Sequence, residues 1–399
     1  MRLCLLIMFI LQSGETLLGS DTSHLEARIY PEKNRYFVGE PIFLAIEIKN
    51  IGQEKISIDG TFGSCFGHDS TEIEGLDRKP LFNKIRGCYG GYGGSCGGVI
   101  DLYPGKTTVY STFLNQLFSI ADPGTYKIRA RRSIPIFPFD RSGKVLEIAS
   151  DFEIVLVPGT EEQLRTVFQK YVNELSSEGW KVRLDAIQAI TTMGPSFLEG
   201  VILKLSSADD SVLASIPALG RLNTSQTRAR LAELAESPDQ SSIRQSYIRQ
   251  PAINALGETR NLDVFPVLKR VGINGAVGDR DIAIVNTGLY GDFAIPFLSE
   301  ILNNPDENTK VAAVRGLGIT KSRKAVPLLF NLFHNSKDYL LREVRLSLAE
   351  LTHFALNGNP MDQEEHPDKW LRWQRWWELN GATAKIYGTD SCSDPGPLP

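Results

Sequence analysis

The chain is poor in the residues that usually mark chemistry. Its 399 residues include five cysteines, five histidines, four methionines and five tryptophans. None of His24, His68, His334, His353 and His366 falls in H-E-x-x-H, and no G-x-S-x-G occurs, so neither the common zinc-protease helix nor a nucleophile elbow is present. No run of five like charges exists, and the formal charge is -4. A nucleic-acid binder normally shows a basic domain or stripe, so that class is excluded as an expectation. After the first eleven residues no segment reaches the ~18 apolar residues of a membrane-spanning helix.

What is present begins with a leader. Arg2 precedes the unbroken apolar run Leu3–Leu11, too short to cross a bilayer but suited to a signal-peptide core. Residues 1–20 are therefore expected to be a signal peptide. Gly19 and Ser20 are small enough for cleavage, while Leu17 and Leu18 are poor matches to the small-residue rule. The expectation is an exported protein, periplasmic or secreted. Export permits disulfides, and Cys65, Cys88, Cys96 and Cys392 are the candidates; four cysteines allow three full connectivities.

Cys88 and Cys96 bound the stretch CYGGYGGSC, inside a weakly periodic insertion over 59–100. A dinucleotide fingerprint fails because Cys96 stands where the third glycine belongs. Zinc knuckles use closer cysteine pairs, and His68 and Asp69 beside Cys65 make only a loose ligand set. A disulfide-tied loop is the better reading. It would present Tyr89 and Tyr92 to a ligand or lay them over a sheet edge. GKT at 105–107 is no phosphate loop, since Ile100 occupies the position of the required first glycine.

Around this loop the hydrophobic period is two. In FVGEPIFLAIEIKN (37–50), Ile42, Leu44, Ile46 and Ile48 alternate with Phe43, Ala45, Glu47 and Lys49. DPGTYKIRA (122–130) and DFEIVLVPG (151–159) repeat the alternation beside turn residues. The VGEPI, LYPGKTT and PGTYKIRA pieces resemble bacterial immunoglobulin-like domains, which implies an antiparallel β-sandwich over 25–158 acting as a spacer or binding module. No tryptophan precedes Trp180, so the antibody Cys…Trp…Cys arrangement is absent.

After Pro158 the period becomes 3.6. SFLEGVILKL (196–205) places Phe197, Leu198, Val201, Ile202 and Leu205 on one helix face. AINALGETRNLDVFPVLKRV, IAIVNTGLYGDFAIPFLSEIL and AAVRGLGITKSRKAVPLLFNLF then repeat one plan: a small-residue helix, a turn, and a second helix opened by proline. Pro266, Pro296 and Pro327 lie 30 and 31 residues apart, and Gly257, Gly291 and Gly318 are expected at helix ends. The plan resembles short bacterial HEAT-like repeats, with VRLDAIQAI and VRLSLAEL matching the start of a first helix. That resemblance implies an α-solenoid over 162–355 with a concave surface for a protein partner. The stretch 206–250 matches poorly, and Pro251 interrupts an expected helix.

HPDKWLRWQRWWELNG (366–381) holds Trp370, Trp373 and Trp377 at i, i+3, i+7. The segment 356–389 is expected to cap the last repeat, or to offer an aromatic platform for sugar or peptide. Asp362, Glu364, Glu365, His366 and Asp368 precede it, in a pattern that suits a helix start better than a cation. Residues 390–399 read as a disordered tail. The fold class expected is a multidomain chain, a β-sandwich followed by a solenoid. The function expected is an exported, non-enzymatic protein-binding scaffold, without catalytic residue, metal or cofactor. A polysaccharide-binding module, and an enzyme subunit with its site between domains, are the alternatives.

Overall fold

In the computed structural model the described residues are 24–59, 71–76, 99–117, 122–137, 145–209, 211–237, 243–333, 336–352 and 367–386. The chain is mixed, with sheets first and helices after. It divides into two compact units, the first reaching Lys170 and the second starting at Tyr171.

The first unit holds strands β1 (Leu25–Pro31), β2 (Arg35–Phe37), β3 (Phe43–Asn50), β4 (Ile56–Asp59) and β5 (Glu72–Gly75). β6 (Val99–Leu102), β7 (Thr107–Phe113), a short α1 (Leu114–Leu117), β8 (Gly124–Phe137) and β9 (Val145–Val157) complete the sheets. One sheet has the order β1-β3-β7; the other runs β2-β9-β8-β4-β6, with β5 also on β8. Ile42, Leu44, Ile46 and Ile48 are all buried and share one core with Ile128, Ile134, Ile148 and Ile154 of the other sheet, but the expected alternation holds only from Leu44 onward, because Phe43 is buried too, with its ring 3.9 Å from that of Phe113. Two further features depart from the sequence reading. β2 pairs with β9 in parallel, not antiparallel. Within the supposed insertion, Glu72–Gly75 forms β5, paired from Glu72↔Arg131 to Gly75↔Ile128. Its four residues are too few for the period to be read from sequence.

Buried polar groups pin the turns. Asn50 is fully buried; its Nδ2 donates to Leu102 O at 2.7 Å and Glu54 O at 2.8 Å, and its Oδ1 accepts from Gly52 N at 2.9 Å. Glu40 accepts from Phe37 N at 2.9 Å and pairs with Lys33. The unit boundary falls inside α2 (Glu161–Glu174) rather than at 158–162. Leu164 lies against Gly39, so the first turns of α2 pack with the sheets.

The second unit continues with α3 (Trp180–Met193), α4 (Glu199–Leu205), α5 (Val212–Leu222), α6 (Ser225–Ala235), α7 (Ile243–Thr259) and α8 (Phe265–Asn274). α9 (Val277–Thr287), α10 (Ile295–Ile301), α11 (Glu307–Ile319), α12 (Ala325–Phe333), α13 (Asp338–Thr352) and α14 (Pro367–Asn380) follow. Helices α3, α5, α7, α9, α11 and α13 pack side by side in chain order, while α6, α8, α10 and α12 each pack on the next helix of that row. Pro266 and Pro296 sit in the first turns of α8 and α10, and Pro327 is the third residue of α12. The stretch 206–250, a poor match by sequence, contains the pair α5 and α6. Its turn is made by Asn223 and a Thr224–Thr227 capping box instead of the Gly…Pro pattern. Of the apolar face expected over 196–205, only Ile202 is fully buried, and 196–198 forms a 3-10 turn before α4.

The repeat glycines act differently from the expectation. Gly257 and Gly318 lie inside α7 and α11, where a Cβ would meet Asn286 and Ser347 of the next helix in the row. Gly288, at the end of α9, comes so close to Gly316 of α11 that a Cβ would overlap its carbonyl oxygen. These are close approaches between helices, not caps. Only Gly291 ends a helix as expected, with φ 61° and ψ -134° between α9 and α10. That break matters for Val277–Ile301, which by length and composition alone could cross a membrane. It is two helices, and Ile284, Phe297 and Leu298 belong to the hydrophobic core.

Ties between neighbours in the row recur at about the same separation. Arg249 Nε donates to Asp279 Oδ2 at 2.5 Å, thirty positions on, with side chains only 4% and 3% exposed. Asn286 donates to Asn254 Oδ1 at 2.7 Å, Arg315 to Glu343 at 2.9 Å and Ser347 to Val314 O at 3.1 Å.

Two predictions follow from this packing. Asp279→Ala, which removes the carboxylate paired with the buried Arg249 guanidinium, lowers stability by about 3–5 kcal/mol, while Arg249→Met with Asp279→Leu costs far less; urea unfolding of both variants checks this. Gly288→Ala costs about 1–3 kcal/mol through overpacking. Gly200→Ala, where a Cβ meets nothing within 4 Å, is neutral or raises stability by up to about 1 kcal/mol. In thermal melts the Gly288→Ala midpoint should therefore fall while that of Gly200→Ala holds or rises.

Candidate functional site

The turns that follow the row helices are built on residues with positive φ: Gly194, Asn223, Arg260, Gly291 and Lys321. For arginine and lysine this backbone costs about 1–2 kcal/mol, so the packed helices on either side hold it in place. Arg260, Gly291 and Lys321, at intervals of 31 and 30 residues, line one cleft of about 370 Å³.

Tyr290 and Ile319 give the cleft its apolar surface, joined by Leu262 and Leu289. Tyr290 donates to Leu256 O at 3.3 Å, and burial pushes its phenol up to about 12. It is thus neutral at physiological pH, a hydrogen-bonding group and not a base. Behind it Phe265 makes edge contacts with Tyr290 at 5.2 Å, Phe293 at 4.8 Å and Phe297 at 6.3 Å. Phe293 and Leu262 remain 55% and 56% exposed, which leaves two large apolar side chains at the surface beside the cleft. Asp292 is turned to other work: Lys324 at 2.7 Å, then Ser322, hold its carboxyl below the usual range.

A second polar array runs along α9, α11 and α13. Arg280 Nη2 donates to Asp306 at 2.6 Å, and Thr309 donates to the same carboxylate oxygen at 2.5 Å. Arg315 bridges the buried Glu343 at 2.9 Å and Tyr339 Oη at 2.6 Å. Burial raises the Glu350 carboxyl, and neighbouring Glu343 raises it further. Burial likewise raises Asp281. Each carboxylate here serves an ion pair or a helix contact, and no group of three or more metal-ligating side chains occurs among the described residues. The array joins helices.

Most residues singled out by sequence lie elsewhere. Tyr89, Tyr92, Cys65, Cys88, Cys96 and Cys392 fall outside the described residues, as do His68, Asp69, Asp362, Glu364, Glu365 and His366. Trp370 and Asp368 lie in α14. Trp373 is fully buried, with its ring edge-on to Phe330 at 5.9 Å. Its ring is therefore taken by the core and cannot join an exposed aromatic platform. Trp377 is half-buried against the same cluster, under Arg323 at 5.8 Å. The cleft residues were missed individually, yet Arg260 and Lys321 each stand six positions before a repeat proline, a spacing visible in the sequence.

No protein-family profile matches the chain, and no curated protein matches it. Among solved structures, the sporulation control protein Spo0M of Bacillus subtilis aligns at 12% identity and a TM-score of 0.20, over 38% of this chain and 56% of its own. A variant of Salmonella alpha-2-macroglobulin aligns at 10% identity and a TM-score of 0.19, over 82% of this chain and 26% of its own. The chain thus spans about half the length of the first and a quarter of the second. Likeness at this level carries no argument about fold or function.

The raised Glu350 carboxyl sets a pH dependence. A carboxyl raised in the folded state is uncharged more readily there than in the unfolded chain, so its unfavourable charge is present above the folded value and gone below about 4.5, the unfolded value. Glu350→Gln should raise the melting temperature at pH 7, and that gain should fade as the pH falls through this window. Melts of both proteins between pH 4 and 8 check it.

Proposed function

We propose that the protein is an exported, non-enzymatic scaffold that binds a protein partner through its helical unit. In this reading the helices form an α-solenoid of HEAT-like pairs and the sheets form an immunoglobulin-like β-sandwich. One observation carries it: positive-φ turn residues, helix-opening prolines and polar ties between row helices all recur at intervals near thirty. Pairs of this kind cannot bury their apolar faces alone, so stacking extends one core and displays a long surface made of many short turns. Such a surface suits an extended partner better than a small substrate. Export rests on the basic, apolar leader of residues 1–20. The polysaccharide alternative gains nothing from Trp373, whose ring is buried.

The test is capture with the full chain from the source organism's own envelope extract, followed by lysine cross-linking and mass spectrometry. Lys269 and Lys324 sample the helical unit; Lys49 and Lys55 sample the sheets. Cross-links from one enriched protein to Lys269 or Lys324 are expected. Cross-links confined to Lys49 and Lys55, or enrichment of glycan in place of protein, would sink this reading.

A further inference from the structure

Two neighbouring helices of the row are interrupted at their midpoints. Pro217 is the sixth of the eleven residues of α5, and Pro251 is the ninth of the seventeen of α7. Helices α3, α9, α11 and α13 contain no proline. A proline inside a helix has no amide to bond the carbonyl four residues back, and its ring crowds the preceding turn, so the helix bends there. Side-chain bonding to the backbone adds to the bend in α5, where Ser215 donates to Val212 O at 2.7 Å.

The two breaks stand at one level. Asn223, just past α5, donates to the carbonyl of Thr259, the last residue of α7, at 3.2 Å, so the two helices run the same way and end together. A Cβ on Gly220 would stand 3.3 Å from that of Ala255, so these residues face each other across the contact. Gly220 is three residues after Pro217, and Ala255 is four after Pro251. At about 1.5 Å of rise per residue, the prolines differ in height by about one residue. Beyond them, the second half of α7 is joined to α9 through Asn254 and Asn286. Before them, Arg249 joins the first half of α7 to Asp279 of α9. That ion pair is buried and incompletely bonded: among the described residues Asp279 Oδ1 has no hydrogen-bond partner. A buried carboxylate oxygen left in this way weakens the contact it belongs to.

We propose that Pro217 and Pro251 form one hinge across the helical unit, with the Arg249–Asp279 pair as its latch. The axis lies at the turn edge, where Asn223 holds Thr259. With the latch closed, unbroken α9 splints both halves of α7. With it open, the first halves of α5 and α7 tilt together against their second halves, and the curvature of the row changes without separating the helices. The hinge is independent of the protein-binding reading.

Hydrogen exchange of the full chain, read by mass spectrometry with fragmentation to single residues, tests it. The amides of 218–220 and 252–254 span the two breaks. Those of 283–285 in α9 and 313–315 in α11 occupy the equivalent places, and in each set two buried residues precede a less buried one. The amides at the breaks should exchange at least fivefold faster than the equivalent ones. Asp279→Asn should speed 218–220 and 252–254 at least threefold more while leaving 313–315 unchanged. Pro251→Ala should slow both break sets, including the one in the neighbouring helix, and should abolish the effect of Asp279→Asn. If Asp279→Asn unfolds the chain, Arg249→Lys opens the latch with the charge retained. Equal protection in all four sets would overturn the proposal. So would an effect of Pro251→Ala confined to α7, which means two separate kinks, or an equal response to Asp279→Asn with and without Pro251, which means a loosened contact and no hinge.

Discussion

The helical unit depends on how closely its row helices can approach. A helix normally keeps its neighbour 8–10 Å away, at a distance set by the side chains in the contact. Here Gly288 against Gly316, Gly257 against Asn286 and Gly318 against Ser347 remove those side chains where two helices meet. Backbone is then near backbone, and short polar groups reach across: Asn286 to Asn254, and Ser347 to the Val314 carbonyl. The ion pair of Arg249 and Asp279 adds a buried charge contact that tolerates no slippage along the helix axis. Register between neighbours is set by these contacts, and the placement of every turn on the surface follows from register.

Charge is used in two ways. Along α9, α11 and α13 cations and carboxylates alternate and satisfy one another, as Arg280 does with Asp306 and Arg315 with Glu343. At the turns Arg260 and Lys321 sit at backbone positions unfavourable for them and line the cleft. Part of the reason is local, since a basic residue just past a helix C-terminus complements the helix dipole. That explains a cation at either turn. It does not explain two cations beside exposed Leu262 and Phe293, which is the combination that gives the cleft its chemical character.

The sheets were legible wherever a strand was long enough to show its period. Leu44 to Ile48 and Tyr126 to Ala130 alternate in sequence and in burial alike. β5 and the parallel pairing of β2 were not legible, because three or four residues carry no period and pairing direction is a tertiary fact. Among the helices, proline spacing marked the pairs α7–α8, α9–α10 and α11–α12. It failed for α5–α6, whose turn is solved with threonine capping, and Pro217 and Pro251 lie inside helices that continue through them. The glycines were placed near the right positions for the wrong reason: freedom of φ was expected, and close approach is what the fold uses. The cleft was illegible because its parts come from three separate turns, and each alone reads as an ordinary polar connection.

The contact of Gly288 with Gly316 has a consequence beyond packing. Leu289 and Tyr290 directly follow the first glycine, and Ile319 to Lys321 come within five residues of the second. The spacing between two walls of the cleft is therefore gauged by the bare Gly288 Cα against the Gly316 carbonyl, a contact buried between helices. A methyl group inserted there would act as a wedge, prising the mouth of the cleft open from behind. Substitution at an interior glycine can in this way retune what the surface accepts while leaving every surface residue unchanged.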